Sequence, residues 1–157
     1  VILTLNAPVR SSRWYDRAAV IERGPLVYAL RMEEKWQKHI CQGDDITQLG
    51  EYYYEVTSST PWNVALRNTD IQSDKIAESF IVEKMACSDK PWSLEAAPIK
   101  IKAKAHILPD WTMDRNSAGD FCYYTQQAPE GEVGEVVDIE LIPFGCTTLR
   151  VTEFPVR

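Results

Sequence analysis

The chain has 157 residues, 45% of them hydrophobic and 25% charged, and its 23 acidic against 17 basic side chains leave a net charge of −6. A single domain of this length buries roughly 68–70% of the surface its unfolded chain exposes, enough for a core of its own. The acidic balance argues against nucleic acid and anionic membrane as partners, which both demand clustered Lys and Arg, and no apolar run reaches the roughly 18 residues of a membrane helix.

In chain order, Val1-Ile2-Leu3-Thr4-Leu5 reads as a strand already under way. It lacks an initiator methionine and the basic start and long apolar segment of a signal peptide, so the chain is expected to be a piece of a longer protein. Ala19–Glu22 is a strand, and Leu26-Val27-Tyr28-Ala29-Leu30, apolar on both faces, suits a central one. Met32–Ile40 is the best position for a helix, though it carries no apolar stripe. Gln42-Gly43-Asp44-Asp45 is a turn, followed by strands at Tyr52–Thr57, Trp62–Arg67 and Phe80–Lys84.

From Pro98 to Ile107 the odd positions are apolar and the even ones nearly all cationic. That alternation predicts a half-buried strand with Ile99, Ile101, Ala103 and Ala105 inward and Lys100, Lys102 and Lys104 outward. Asp110–Glu135 is expected to be a long loop crossing one end of the fold, with Asp114-Arg115-Asn116-Ser117 as a turn. Val137, Ile139 and Leu141 alternate with acids, and Leu149 and Val151 with Arg150 and Thr152, giving two closing strands. About nine short strands with little helix predict an all-β fold, an antiparallel two-layer β-sandwich of jelly-roll type, as one domain over 1–157.

Cys146, in Gly145-Cys146-Thr147-Thr148, is a nucleophile only if a base and an oxyanion hole stand beside it. The sole histidines are His39 and His106, the latter on the wet face of its strand, so a small buried cysteine after the Pro143-Phe144-Gly145 turn is the simpler expectation. His39 and Cys41, two apart on an extended segment, point to one face as metal ligation needs, but two ligands are not a site. Asp44 and Asp45 offer oxygen ligands for calcium, and equally an ordinary Asp-rich turn. Glycoside hydrolysis needs two carboxylates facing each other across a cleft. Nothing marks such a pair, and Glu22 suits a neighbouring cation or a turn. The four cysteines have no C-x-x-C spacing, which leaves both free buried thiols and one or two bridges open. No catalytic residue, metal ligand or cofactor is assigned.

The five tryptophans divide by context. Trp62, alternating with Val64 and Leu66, is expected in the core, whereas Trp36 and Trp111 lie in or near loops and are the better candidates for stacking on a sugar ring.

Several segments together are familiar. Ala19-Val20-Ile21-Glu22-Arg23-Gly24-Pro25-Leu26-Val27-Tyr28-Ala29-Leu30 resembles the "ERGPLVYAL" signature of the β-L-arabinofuranosidase-like glycoside hydrolases, family 127 and its relatives. Ser59-Thr60-Pro61-Trp62-Asn63-Val64-Ala65-Leu66 resembles their "PWNYAL" segment, with Val64 in place of the common tyrosine. Ala97-Pro98-Ile99, Leu108-Pro109-Asp110-Trp111 and Leu141–Pro155 resemble their closing strands, in family order and across almost the whole chain.

The resemblance implies a parent with an α/α-barrel catalytic domain followed by β-sandwich domains, this chain being the C-terminal sandwich. Members bind zinc through a glutamate and cysteines of the barrel, one cysteine being the nucleophile. None of those motifs occurs here, so no catalytic or metal residue carries over. The implied role is a non-catalytic accessory domain that buttresses the absent barrel of a periplasmic or secreted enzyme acting on arabinose-containing plant glycans. A plant-type oligosaccharide is a further partner, and a free-standing carbohydrate-binding module is the alternative, for which a row of exposed aromatics is the discriminating feature. For the surface against the barrel, the candidates are Trp111, Met113, Phe121, Tyr123 and Tyr124, large apolar groups in a cation-poor loop.

Overall fold

The computed structural model describes residues 6–14, 17–116, 119–122 and 131–157. Among these described residues, eleven strands and two short helices follow one another as β1 (Val9–Arg13), β2 (Ala19–Arg23), β3 (Leu26–Leu30), β4 (Glu34–Ile40), α1 (Asp45–Leu49), β5 (Tyr52–Ser58), β6 (Val64–Leu66), α2 (Ile76–Ser79), β7 (Ile81–Lys84), β8 (Ile99–Ile107), β9 (Met113–Asn116), β10 (Gly119–Cys122) and β11 (Val136–Pro143). The fold is all-β, antiparallel and sandwich-like: a curled seven-stranded sheet in the order β1-β2-β3-β11-β8-β6 encloses the core, with β7 also on β8. The ribbons β4–β5 and β9–β10 stand outside it.

The nine-residue β8 is long enough for three partners. β11 lies along one edge, while the other is shared by β7, paired to Ile99–Lys102, and β6, paired to Ala105–Ile107. Its alternation sorts the faces as expected. Ile101, Ala103 and Ala105 are buried opposite Leu141, Ile139 and Val137, and Ile99 packs against the same core. Lys102 and Lys104 are exposed and Lys100 half-buried. Lys104 pairs with Asp138 at 2.7 Å and Lys102 with Glu83 at 2.7 Å. Such exposed pairs add little stability, but they specify which face is wet.

Closure comes from the C-terminal segment. β2 pairs with β3 only at Glu22 and Arg23, so the two strands splay apart toward Ala19 and Leu30. The tail fills that gap. Leu30 N–H donates to the Val151 carbonyl at 2.8 Å, Ala19 and Phe154 exchange two bonds of 2.9 Å, and Leu66 N–H donates to the Pro155 carbonyl at 2.9 Å. The tail therefore joins β2 to β6, and Phe154 drops into the core enclosed between them.

Three expectations are corrected. Met32–Ile40 is not helical: Glu34–Ile40 is β4, paired residue for residue with β5. Both faces of that ribbon remain in contact with water, so no apolar period is written into it, and pairing with the aromatic β5 decides the conformation. Within 110–135, Met113–Asn116 and Gly119–Cys122 form a hairpin rather than plain loop. Finally, Leu149–Val151 is no strand. Leu149 and Val151 alternate because both pack on the core from a tail that bridges its neighbours at single residues. The segment Val1–Leu5 lies outside the described residues.

Candidate functional site

A cleft lies where β4 leaves the core and meets the turn after β11. Pro143 ends β11, having no N–H to continue the ladder, and the chain tightens into the 3₁₀ turn Phe144–Cys146. Glu34, at the start of β4, reaches across to the residues that follow. Its Oε1 accepts from Thr148 N–H at 2.6 Å, from the Thr147 hydroxyl at 2.9 Å and from Leu149 N–H at 3.2 Å. Its Oε2 accepts from the Trp36 indole N–H at 3.2 Å. Partial burial pushes the Glu34 carboxyl up, but these donors outweigh it and hold the group below the usual carboxylate value.

Under the turn lies a small apolar cluster of Ala97, Ile142 and Cys146, with Leu94 against it. Cys146 Sγ donates to the Pro91 carbonyl at 3.2 Å, which fixes the segment carrying Trp92. The Trp92 ring lies against Gly145, where a Cβ would stand 3.5 Å from Cε3. Arg150 donates from Nε to the Thr147 carbonyl at 3.0 Å and lies 4.4 Å over the Phe144 ring. These pieces bound a cleft of about 510 Å³ with Trp36 and Trp92 in its walls, 53% and 67% exposed.

Of the residues singled out from sequence, Trp36 lies in this cleft. Trp111 does not reach a surface. It is 3% exposed and packs edge-to-face on Trp62, ring centroids 5.0 Å apart, in a cluster with Ala65 and Leu108, so its ring fills core space rather than meeting a ligand. Met113 begins β9 and is exposed. Phe121 lies on β10; its side chain, with Tyr123 and Tyr124, falls outside the described residues. Trp92 was not among the candidates. Its signal is present nonetheless: Lys90-Pro91-Trp92-Ser93 sits in a turn-rich stretch with no apolar period, so its indole has no strand face to occupy.

Cys146 is 2% exposed, and burial pushes its thiol up, so it stays protonated near neutral pH. Neither histidine serves it: His39 contacts Glu55 at 3.0 Å and stacks on Tyr53, and His106 Nδ1 lies 3.3 Å from the Gly134 carbonyl. Cys41 is buried, Cys87 is exposed, and both are free. Among the described residues no three His, Cys, Asp or Glu side chains converge. Iodoacetamide should therefore modify Cys87 at least about tenfold faster than Cys41 or Cys146 in the native protein. Peptide mapping checks this, and rapid labelling of Cys146 contradicts its buried thiol.

A second depression of about 650 Å³ lies along β8 and β11, bordered by α2 and the start of β7. Its charged groups are all paired, Lys102 with Glu83, Lys104 with Asp138, Arg67 with Asp70 at 3.1 Å, Glu78 with Lys75, and Glu140 with Arg31 and Lys100, which leaves little free chemistry.

Comparison with known protein families, curated proteins and solved structures finds no match to this chain. The resemblance to the arabinofuranosidase-like hydrolases rests on the quoted segments alone.

Proposed function

We propose that this chain is a non-catalytic accessory domain of a β-L-arabinofuranosidase-like glycoside hydrolase, periplasmic or secreted, that buttresses an α/α-barrel acting on arabinose-containing plant glycans. The quoted sequence segments supply the parentage. The observation that carries the buttressing role is the β4–β5 ribbon. Its two seven-residue strands pair only with each other among the described strands. Directly opposed residues share a face, and toward the tip of the ribbon one face carries Ile40, Tyr52 and Tyr54 around Lys38, all exposed. The helix α1 at the tip adds exposed Ile46 and Leu49. An isolated two-stranded ribbon is marginal in water, and an uncovered apolar face of this kind marks a contact surface.

The reading is tested in two steps. The chain alone should release no phenol from an aryl β-L-arabinofuranoside, because the buried Cys146 thiol has neither histidine beside it. Turnover lost in Cys146→Ser overturns that half. Attached to its barrel, the chain should show amide exchange over 34–58 slowed by about tenfold or more as the ribbon face is covered. Unchanged exchange there removes the docking role.

A further inference from the structure

The cleft between β4 and the turn after β11 has features that neither packing nor buttressing requires. Two tryptophans are more than half exposed, yet both are held. Trp36 is anchored through its N–H to Glu34 and through an edge contact to Tyr54, ring centroids 5.6 Å apart. Trp92 is backed by Gly145. Rings fixed in advance lose little rotamer freedom when a ligand arrives, which strengthens binding for a given contact area. With the Trp36 N–H already committed, what that ring offers outward is chiefly its apolar face.

The polar groups around them divide into spent and free. Glu34 accepts four hydrogen bonds and serves as the frame. Arg150 uses Nε on the Thr147 carbonyl, and among the described residues its terminal nitrogens make no ion pair. Glu95, also lining the cleft, is exposed and likewise unpaired among the described residues. Among the described residues the cleft thus offers a donor in Arg150 and an acceptor in Glu95, of opposite charge, beside two apolar ring faces. Its 510 Å³ falls within the roughly 300–1,000 Å³ of small-molecule sites.

We propose that this cleft binds a neutral saccharide, with Trp36 and Trp92 stacking on its C–H faces while Arg150 donates to, and Glu95 accepts from, its hydroxyls. A sugar ring is the ligand that presents an apolar face and, on its rim, hydroxyls that both donate and accept. A polyanion meets Glu95 and the frame carboxylate; a cation meets Arg150. The adjacent rings are mutually steep, Trp36 to Tyr54 at 74° and Tyr54 to Tyr52 at 81°. Tyr52 and Tyr54 lie outside the cleft, so the ring faces it offers a sugar are those of Trp36 and Trp92. The inference stands on the cleft alone and does not depend on the parentage proposed above.

The test is titration of the chain with neutral pento- and hexo-oligosaccharides, with oligogalacturonate and choline as charged probes, read by calorimetry and by the indole N–H signals. At least one neutral oligosaccharide should bind and shift the Trp36 and Trp92 signals while leaving Trp14 unmoved; Trp14 is exposed but outside the cleft. Trp36→Ala and Trp92→Ala should each weaken binding by about tenfold, and Trp14→Ala should not. Circular dichroism and the unfolding midpoint establish that each variant is folded, and Glu95→Gln, which conserves shape, should also weaken binding. Silence across the neutral panel, binding that survives loss of both tryptophans, or a preference for oligogalacturonate or choline each overturns the proposal. Because no catalytic domain enters the experiment, its failure leaves the accessory reading intact, and loss of that reading leaves the cleft intact.

Discussion

Replacing Phe154 by alanine should lower the unfolding free energy by about 3–5 kcal/mol, a large fraction of the roughly 5–15 kcal/mol that holds a domain together. Phe154 is 0% exposed and belongs to the main core cluster with Ala19, Leu66 and Ile101. Its backbone exchanges two 2.9 Å bonds with Ala19, so the main chain there is pinned and cannot collapse into the space left by the ring. A cavity that cannot close keeps both penalties, the lost burial and the lost contacts. The effect is greater here than for an average core phenylalanine because this residue sits where the tail joins β2 to β6. Phe144 is the matched control: it is 42% exposed and its ring meets Arg150 from outside, so Phe144→Ala should cost less than about 1 kcal/mol. Urea unfolding of the two variants side by side decides. A loss at position 154 no larger than at 144 means that the tail does not close the sheet.

What the sequence revealed and what it hid follow one division. β8 and β11 were legible because one face of each is buried and the other wet, so burial is written as a period of two. β3 was legible for the opposite reason, an apolar run bounded by Gly24-Pro25. β4 was hidden because neither of its faces is buried; Glu34-Lys35-Trp36-Gln37-Lys38-His39-Ile40 carries no period when nothing covers it. β1 was hidden because Val9-Arg10-Ser11-Ser12-Arg13 is a polar edge strand specified by its pairing with β2. The tail showed the right alternation for a different geometry. Inside the cleft, Trp36 stands out from composition, but its place across from the turn after β11 depends on Glu34 bonding to residues 113 to 115 positions away. Contacts of that range leave no local mark. Trp111 misled for the same reason: it follows Leu108-Pro109-Asp110, which has the composition of a surface turn, yet the turn bends the indole back onto Trp62.

Glu34 is where that long-range geometry is most exposed to test, because one carboxylate ties the root of β4 to the turn after β11. Removing it in Glu34→Ala leaves the Thr148 and Leu149 N–H groups and the Trp36 indole N–H without their acceptor. Hydrogen bonds to a charged acceptor each stabilise by about 1.5–3 kcal/mol, and water replaces part of that at a half-buried site, so a loss of about 2–3 kcal/mol is expected at pH 7. Glu34→Gln separates the parts. Its amide oxygen can still face the two backbone donors, but the amide nitrogen then confronts the Trp36 N–H donor, so about 1 kcal/mol should be lost and Trp36 should loosen. The pH dependence follows from the lowered folded-state pKa. In the unfolded chain the carboxyl titrates near its ordinary 4.5, and in the native protein lower still. The contribution is therefore complete above that ordinary value and disappears as pH falls through the folded-state pKa. The stability difference between the native chain and Glu34→Gln, measured by urea unfolding, should be constant from pH 7 to 5 and shrink below 4.5. Subtracting the two chains cancels the other acidic groups. A difference that grows on acidification, or none at pH 7, would mean the carboxylate does not hold the turn, and the walls of the cleft would lose their common anchor.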